Sequence, residues 1–381
     1  MRFIHFGCWN NIHGDLEENM EAIQRYIKNG SKKNNKVDFF SIAGDNYYPN
    51  KSNSKGEKIK TIVEDELREG FELIPNDGRD KFLILGNHDL ETNMRFLSSS
   101  GRESHDNSCK ILELERDIVN SRPDSTLDLF KFNFDSDTNT LLIFFDTTMY
   151  VKKDFNKFKK CYKSFVSIDN SRITRGSPNY QNDLNEYQRR KINEEISKYE
   201  VIDKIVFIGH HPLIYLKNKD DEIKAKSDIP RISDLLSDVH DLLPNSQYYY
   251  LCADLHLYQQ GEVTFYHDDK EMKIKQYIVG TGGTHLDLEI PTEYNNTEYT
   301  IGDFHYAHNK SLYEHGFLVC DFNEKSKDPI FEFQAKRSFT PKRKMKRSRS
   351  RSISPTTKKV ATIKSKKSKG GKYNSTIKRK N

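Results

Sequence analysis

The chain repeatedly follows a short apolar run with polar, chemically active side chains. Segments 37–43, 81–85, 204–208 and 247–253 are rich in Phe, Ile, Val and Tyr, which is typical of buried strands. Each is followed closely by Asp, Asn or His. In open α/β sheets, ligands and metals bind outside the carboxyl ends of the strands. The pattern therefore predicts a functional site at such an edge.

The same reading predicts nine strands, with helices between the early ones. Helices are predicted over 183–199, 16–28 and 61–73. Strand and helix alternate first and closely spaced strands follow, which favours a mixed sheet or two packed sheets flanked by helices. Two long connections, 91–127 and 150–181, are candidates for rim or specificity elements. The predicted strands are 2–6, 37–43, 81–85, 140–145, 204–208, 247–253, 272–279, 316–321 and 330–334.

Charge divides the 381 residues into two parts. Residues 336–381 hold 19 Lys or Arg and no acid, whereas residues 1–335 carry 43 basic and 56 acidic side chains, a net charge of −13. The basic segment has almost no apolar content, so we predict a folded domain over 1–335 and a disordered basic tail over 336–381. Such a tail is suited to nucleic acid or another polyanion, or to nuclear targeting, and the alternative is a solubilising tail.

The compartment expected from the sequence is intracellular, cytoplasmic or nuclear or both. No apolar stretch is long enough to span a bilayer, and the strand predicted at 2–6 leaves no room for a signal peptide. The five cysteines are odd in number and unpatterned, which favours reduced thiols. We therefore expect no membrane partner.

Four motifs follow the apolar runs, and their donors suit a pair of metal ions. Hydrolysis of a phosphate ester requires an attacking hydroxide and neutralisation of charge on the phosphoryl oxygens, and two metal ions about 4 Å apart do both. A carboxylate that bridges, imidazoles and other oxygen donors build such a pair. Asp45 can bridge, Tyr48 offers a phenolate, Asn87 a carbonyl oxygen, and His210 and His256 imidazole nitrogens. The motifs are residues 44–48 (GDNYY), 86–89 (GNHD), 209–212 (GHHP) and 254–256 (DLH).

His88 and Asp89 complete the second motif. His88 is adjacent to Asn87, so it is placed to face a substrate and to protonate the leaving oxygen as general acid. Asp89 is a candidate to orient that imidazole from behind. A lone Gly-Asn-His-Asp also fits a simple turn, and the four motifs together carry the prediction.

This arrangement resembles the calcineurin-like metallophosphoesterases, and within them the purple acid phosphatase group, especially its small tartrate-resistant branch. The distinguishing motif is 44–48, because a tyrosine three places after the aspartate is that group's iron-binding phenolate. The resemblance extends from Phe3 to about Gln334. It implies an α/β fold, an αββα sandwich of two mixed sheets flanked by helices. The other segments that carry it are 83–89, 145–147, 208–212, 250–252 and 279–283.

The resemblance also implies two metal ions, divalent or trivalent, drawn from Fe, Mn or Zn. Asp45 would bridge them, Tyr48 and His256 would bind the first, and Asn87 and His210 the second.

Two departures from the family pattern fall on implied ligand positions. The family reads Gly-Asp-Trp-Gly after its first strand, and this chain has Cys8 where the aspartate ligand stands. A thiolate still binds metal but favours zinc or ferrous iron, and the alternatives are a packing role for Cys8 or a ligand from His13 or Asp15. The family's Gly-His-x-His is here replaced so that Asp254 stands for an imidazole. A carboxylate there favours manganese or magnesium.

The function expected is that of a metal-dependent phosphoesterase, acid phosphatase-like, which hydrolyses a phosphorylated small molecule or a phosphoprotein. One alternative is a pseudophosphatase, a binding module whose first metal is lost at Cys8. Another is a phosphodiesterase acting on nucleotides or nucleic acid, which the basic tail favours. The missing signal peptide predicts a pH optimum nearer neutral than that of secreted acid phosphatases.

Overall fold

Two large β-sheets, a two-stranded sheet formed by Tyr215–Lys219 and Glu222–Lys226, and five α-helices make up the part of the chain that the structure, a computed structural model, describes. That part comprises residues 1–11, 14–31, 36–48, 56–90, 110–151, 161–162, 180–219, 222–267, 270–323 and 328–339. The helices are α1 Leu16–Ser31, α2 Gly56–Leu73, α3 Lys110–Asn120, α4 Tyr180–Ile196 and α5 Ser233–Leu242. The strands are β1 Arg2–Phe6, β2 Phe39–Ala43, β3 Asp80–Ile84, β4 Ser125–Leu127, β5 Phe130–Asp135, β6 Thr140–Phe145, β7 Lys204–Ile208, β8 Tyr215–Lys219, β9 Glu222–Lys226, β10 Gln247–Cys252, β11 Tyr258–His267, β12 Lys270–Val279, β13 Thr297–Ile301, β14 Phe304–Leu312, β15 Gly316–Asp321 and β16 Ile330–Ala335.

Both large sheets are mixed. Within the described residues the first has the order β16-β15-β1-β2-β3-β4 and the second β13-β14-β11-β12-β10-β7-β6-β5. Strands β1 to β4 run parallel, as do β6, β7, β10 and β12, while the remaining neighbours are antiparallel. Helix α1 contacts β15 and α2, and α3 contacts β4. This architecture confirms the predicted α/β fold of two mixed sheets flanked by helices.

All nine predicted strands are present, with ends shifted by two residues at most. The prediction missed seven further strands, including β11 and β14, whose polar residues and internal Gly261 hide their pairing. It also missed α3, which lies inside the connection predicted at 91–127, and α5. The helix predicted at 183–199 begins and ends three residues earlier, as α4.

Aromatic side chains fill the space between the two sheets. Phe82 of β3 packs edge-on against Phe144 of β6, with ring centroids 5.4 Å apart. Towards the other side, Tyr277 of β12 stacks on Phe331 of β16 at 4.4 Å. Each pair joins one sheet to the other, so burial of these rings fixes how the sheets face each other. The relative position of their strand ends follows from this packing.

The two sheets meet closely at the carboxyl end of β1. Gly7 donates its backbone N–H to Val279 at the end of β12, and Cys8 donates to Gly44 after β2. A Cβ on Gly7 would lie 2.5 Å from the Cβ of Ala253 and 2.8 Å from the carbonyl oxygen of Ala43. Only glycine permits that approach. The turns after β1, β2 and β10 are thereby brought together.

The boundary predicted near Lys336 falls just before a short 3-10 helix, Lys336–Phe339. Lys336 belongs to the described domain, because its backbone N–H donates to His315 and its ammonium group to Asp15. Residues 340–381, the remainder of the predicted tail, lie outside the described residues. Across the described helices, none combines the length and the apolar character needed to cross a membrane.

Candidate metal centre

The donors predicted from the motifs lie at equivalent positions past the strand ends. In four cases one residue separates the strand from the donor: Gly7 precedes Cys8, Gly44 precedes Asp45, Gly209 precedes His210 and Ala253 precedes Asp254. Two of these strands belong to each sheet. The convergence of the sheets therefore brings together side chains that are up to about 250 residues apart in sequence.

Three of the donors have left-handed backbone conformations. The φ angles are 51° at Cys8, 53° at Asp45 and 58° at Asp254. Among the described residues, the other non-glycine positions with positive φ are both asparagines. Such a conformation costs a side-chain-bearing residue about 1–2 kcal/mol, and backbone strain of this kind clusters at functional sites. The chain therefore tolerates strain at the three turns that present donors.

The first donor group consists of Cys8, Asp45 and His256, whose ligand atoms all lie within 4.8 Å of one another. The hydroxyl of Tyr48 donates to Asp45 Oδ2 at 2.6 Å and lies 3.2 Å from His256 Nε2. Cys8 Sγ lies 3.7 Å from the same Asp45 oxygen. Cys8 and Asp45 are fully buried, whereas His256 is partly exposed. The group is thus reached from the His256 side.

The second donor group consists of His210, His211 and Asp254, also within 4.8 Å of one another. His210 Nε2 lies 3.3 Å from Asp45 Oδ1 and 3.6 Å from Asp254 Oδ1. The same nitrogen is 3.0 Å from Asn87 Oδ1. Asp45 therefore stands between the groups, with one oxygen facing each.

The His210 imidazole has a fixed orientation. Its Nδ1 lies 2.6 Å from the carbonyl oxygen of Ala43, so Nδ1 donates and Nε2 faces the carboxylates. This is the arrangement of metal-binding histidines, which donate their other ring N–H to a carbonyl or a carboxylate. Burial alone would lower the pKa of His210, but Asp45 and Asp254 raise it to about 10. The two carboxylates thus favour a protonated His210 at the position where a cation would fit.

The Cys8 thiol lies in the same anionic surroundings. Burial, and then the neighbouring Asp45 carboxylate, raise the pKa of Cys8 well above its usual range. Without a cation the side chain is therefore a neutral thiol. A metal ion at this point would invert that preference, because a coordinating thiol is deprotonated.

His88 lies beside the first group. Its backbone N–H donates to Asp45 Oδ1 at 2.9 Å, and its ring centroid is 4.9 Å from that of Tyr48. The His88 side chain is partly exposed, unlike the buried carboxylate it flanks. The general-acid role predicted for it stays a prediction.

Asp89 joins two donor-bearing turns. Its Oδ1 accepts the backbone N–H of Asn46 at 2.7 Å, and Oδ2 accepts the Asn46 side-chain amide at 3.0 Å and the Gly86 N–H at 2.8 Å. These bonds hold the turn after β2 against the turn after β3. Its predicted role towards the His88 ring stays a prediction.

His211 lies in the second group, although the sequence motifs did not mark it as a ligand. The hydroxyl oxygen of Thr147 accepts the backbone N–H groups of His210 and His211, and it lies 2.9 Å from His211 Nδ1. With both lone pairs used, the hydroxyl donates to Nδ1 and the ring proton lies on Nε2, so in this arrangement neither ring nitrogen of His211 offers a lone pair to a metal. The adjacent histidines at 210–211 were the sequence feature that could have indicated a second histidine at this site.

Asp15, one of the two alternative ligands proposed for the first metal, is not in this cluster. Asp15 Oδ1 accepts from Lys336 Nζ at 2.5 Å, and Oδ2 lies 2.8 Å from His315 Nε2. Asp15 is therefore engaged at the start of α1. His13 lies outside the described residues.

The cysteines differ from the expectation of reduced thiols in one respect. Cys8, Cys252 and Cys320 are free and buried, but Cys161 is disulfide-bonded. Sequence spacing does not reveal which cysteines approach closely enough to bond. Cys109 lies outside the described residues.

The donors fit metal ions. Cys8, Asp45, Tyr48 and His256 offer sulfur, oxygen and nitrogen on one side, and Asn87, His210 and Asp254 offer oxygen and nitrogen on the other. The buried carboxylates and the anchored His210 ring are the features such a site requires.

A protein-family match agrees with this assignment. Residues 1–238 match the model of the calcineurin-like phosphoesterase family, a span that ends before Asp254 and His256. A search of curated proteins gave no match. A solved structure that aligns with the chain is phosphopantetheinyl hydrolase from Mycobacterium tuberculosis, with 12% identity over 74% of this chain and 89% of that chain, at a TM-score of 0.31.

Proposed function

We propose that this chain hydrolyses phosphate monoesters, on small molecules or phosphoproteins, in a metal-dependent reaction. The chain belongs to the calcineurin-like phosphoesterase family. The observation that carries the proposal is the position of Asp45. Its two carboxylate oxygens face two separate donor groups, as a bridge between two metal ions must. Two ions in such a site supply an activated water and neutralise charge on the phosphoryl oxygens.

The residues of the chain have distinct roles in this reaction. Ala43 and Asp89 fix the donors: the first holds the His210 ring, and the second holds the turns that carry Asp45 and Asn87. A positioned site of this kind loses little free energy to rearrangement when charge develops. His88 lies at the exposed side of the donors and donates a proton to the leaving oxygen.

Within the family we place the chain nearest the purple acid phosphatase group. Tyr48 supports this, because its hydroxyl lies between Asp45 and His256 in the first donor group. Iron, manganese or zinc suit the donors of this site.

Cys8 favours a second candidate function, that of a pseudophosphatase. The first donor group has a neutral thiol where the family has a carboxylate, so its charge attracts a cation less strongly. In that case the domain binds phosphorylated partners without turnover.

The basic segment 336–381 supports a further proposal about partners and compartment. Its 19 basic residues without any acid favour binding to nucleic acid or another polyanion, inside the cell and in the nucleus as well as the cytoplasm. The proposal would be supported if the chain binds a polyanion of the size of a DNA duplex and if this binding weakens steeply as the salt concentration rises. A truncation at 340 that binds as well as the full chain would contradict it.

The experiment that tests the function compares a monoester with a diester. The metal-free protein is supplied with manganese, iron or zinc, and metal per chain is measured together with hydrolysis of p-nitrophenyl phosphate and bis-p-nitrophenyl phosphate. We expect two metals per chain and faster monoester hydrolysis, both lost in Asp45→Asn. Preference for the diester would favour a phosphodiesterase, and binding of fewer metals without turnover would favour the pseudophosphatase.

Glu115→Gln is the matched control for Asp45→Asn. Glu115 is buried near Asn46 but belongs to neither donor group. Burial, and the nearby Asp45 carboxylate, raise its pKa to about 8, although the neighbouring Asn46 side chain opposes the shift. A neutral glutamine therefore resembles the protonated side chain at pH 7, and metal binding and turnover should persist.

A further inference from the structure

We infer that Cys8 is a metal ligand, and that its sulfur makes the first donor group a zinc-selective site, unlike the sulfur-free second group. The inference rests on the proposed function, which requires that both groups bind metal. It adds that the two positions differ in metal identity, with zinc at the position that Cys8 lines and a harder ion at the other.

The position of Cys8 in the fold is the first support. Cys8 lies two residues past β1, as Asp45 lies past β2 and Asp254 past β10. All three have φ between 51° and 58°. A cysteine that only fills space has no reason to occupy a left-handed turn, which favours glycine, asparagine and aspartate.

The other free cysteines show what a packing role looks like here. Cys252 lies within β10 and Cys320 within β15, both fully buried, and neither belongs to a donor group among the described residues. Their backbones are those of ordinary strand residues, since neither is among the positive-φ positions. Cys8 differs from both in backbone conformation and in surroundings.

Donor chemistry is the second support. Sγ of Cys8 lies 3.7 Å from Asp45 Oδ2, and Tyr48 adds an oxygen 3.2 Å from His256 Nε2. One sulfur, one imidazole nitrogen and two oxygens make four donors, the number that zinc prefers in proteins. Nitrogen and oxygen donors, which are all that the second group offers, already bind zinc more tightly than manganese, and a thiolate increases that preference further.

Entry of the ion is consistent with the burial of each donor. Cys8 and Asp45 are 0% exposed, but His256 at the same group is partly exposed and provides a path from solvent. On binding, the S–H bond breaks, the sulfur lone pair bonds to zinc, and the proton leaves to solvent. No oxidant or reductant is needed.

Cobalt is the probe, because a thiolate bound to Co²⁺ gives a sulfur-to-metal charge-transfer band in the near ultraviolet. Co²⁺ is added to the metal-free full-length protein, and metal per chain, the absorption band and hydrolysis of p-nitrophenyl phosphate are recorded. We expect a band equivalent to one thiolate per chain, which Zn²⁺ removes and an equal concentration of Mn²⁺ does not. Cys320→Ser, the matched buried-thiol control, should keep the band.

Two variants test Cys8 itself. Cys8→Ser should lose the band. Cys8→Asp should bind cobalt without the band, and the ratio of zinc to manganese affinity at this site should fall by about tenfold or more. The second variant keeps the test valid if serine weakens the fold, which thermal unfolding reports.

Three results would overturn the inference: cobalt bound without a band, a band that persists in Cys8→Ser, or displacement by manganese as readily as by zinc. The proposed function is judged separately. Two bound metals with turnover but no thiolate band would refute the role of Cys8 alone, whereas absence of metal binding would refute both.

Discussion

Replacing Gly86 by alanine should disable the site while the protein stays folded. A Cβ there would lie 2.3 Å from Asp45 Oδ1, 2.4 Å from the Asp45 backbone nitrogen and 2.8 Å from His210 Cε1. Asp45 Oδ1 is buried and accepts the His88 N–H, and the Asp45 nitrogen belongs to the backbone, so relief of the clash displaces the carboxylate by about 1 Å. A misplacement of that size lowers turnover by about 100-fold. Overpacking of this kind destabilises a protein by about 1–3 kcal/mol, which leaves it folded.

The assay measures hydrolysis of p-nitrophenyl phosphate, metal per chain and thermal unfolding of Gly86→Ala. Gly78→Ala is the control: an added Cβ there has nothing within 4 Å, but its φ of +79° makes alanine unfavourable by about 1–2 kcal/mol. Both variants should lose similar stability, and only Gly86→Ala should lose turnover. Normal turnover and metal content in Gly86→Ala would refute the assignment of Asp45 and His210 to one compact site.

Three further predictions concern the stability of the folded protein. Asp89→Asn should lower the free energy of unfolding by about 1–3 kcal/mol, because the amide of the new asparagine would face an N–H of Asn46 or Gly86. An unchanged urea midpoint would contradict this prediction. Burial lowers the pKa of His308 from 6.5 to about 4. The unfolded chain therefore binds a proton at this histidine more readily than the folded protein does, and the free energy of unfolding falls by about 3 kcal/mol between pH 6.5 and pH 4. His308→Gln should therefore flatten the acid side of the urea midpoint against pH, and an equally steep loss would reject that reading. Metal added at about 100 times its Kd should stabilise the metal-free protein by about 2.7 kcal/mol in thermal unfolding, and no shift would count against the site.

Strand ends and their motifs made the convergence of the donor side chains predictable. Asp45 and Asn87 follow β2 and β3, which are parallel neighbours in the first sheet, and His210 follows β7 of the second sheet. The strand ends of the two sheets meet, and the structure brings Cys8 and Asp254 to the same place. Their roles as ligands remain predictions, but their convergence is observed.

Other features of the structure could not be predicted from the sequence, because they depend on contacts between distant parts of the chain. His211 lies near Asp254 because β7 and β10 are parallel neighbours, a pairing that neither strand reveals alone. Asp15 is paired with Lys336 from the far end of the domain, so its local sequence suggested a ligand where the structure has an ion pair. Strands β11 and β14 were missed because their stability comes from pairing rather than from apolar content.

Two properties of the metal-free protein, the backbone conformation and the charge around position 8, favour different side chains at that position. The left-handed turn favours aspartate, which suits such a backbone better than cysteine does. A carboxylate there would, however, place a third buried negative charge beside Asp45 and Asp254, and like charges at such distances repel strongly where solvent is excluded. The Cys8 thiol stays neutral in the absence of metal, since burial and Asp45 raise its pKa, and it becomes an anion only when an ion replaces its proton. Cysteine thus lowers the electrostatic cost of the metal-free site, and if Cys8 is the ligand that we infer, a preference for a thiophilic ion is the consequence.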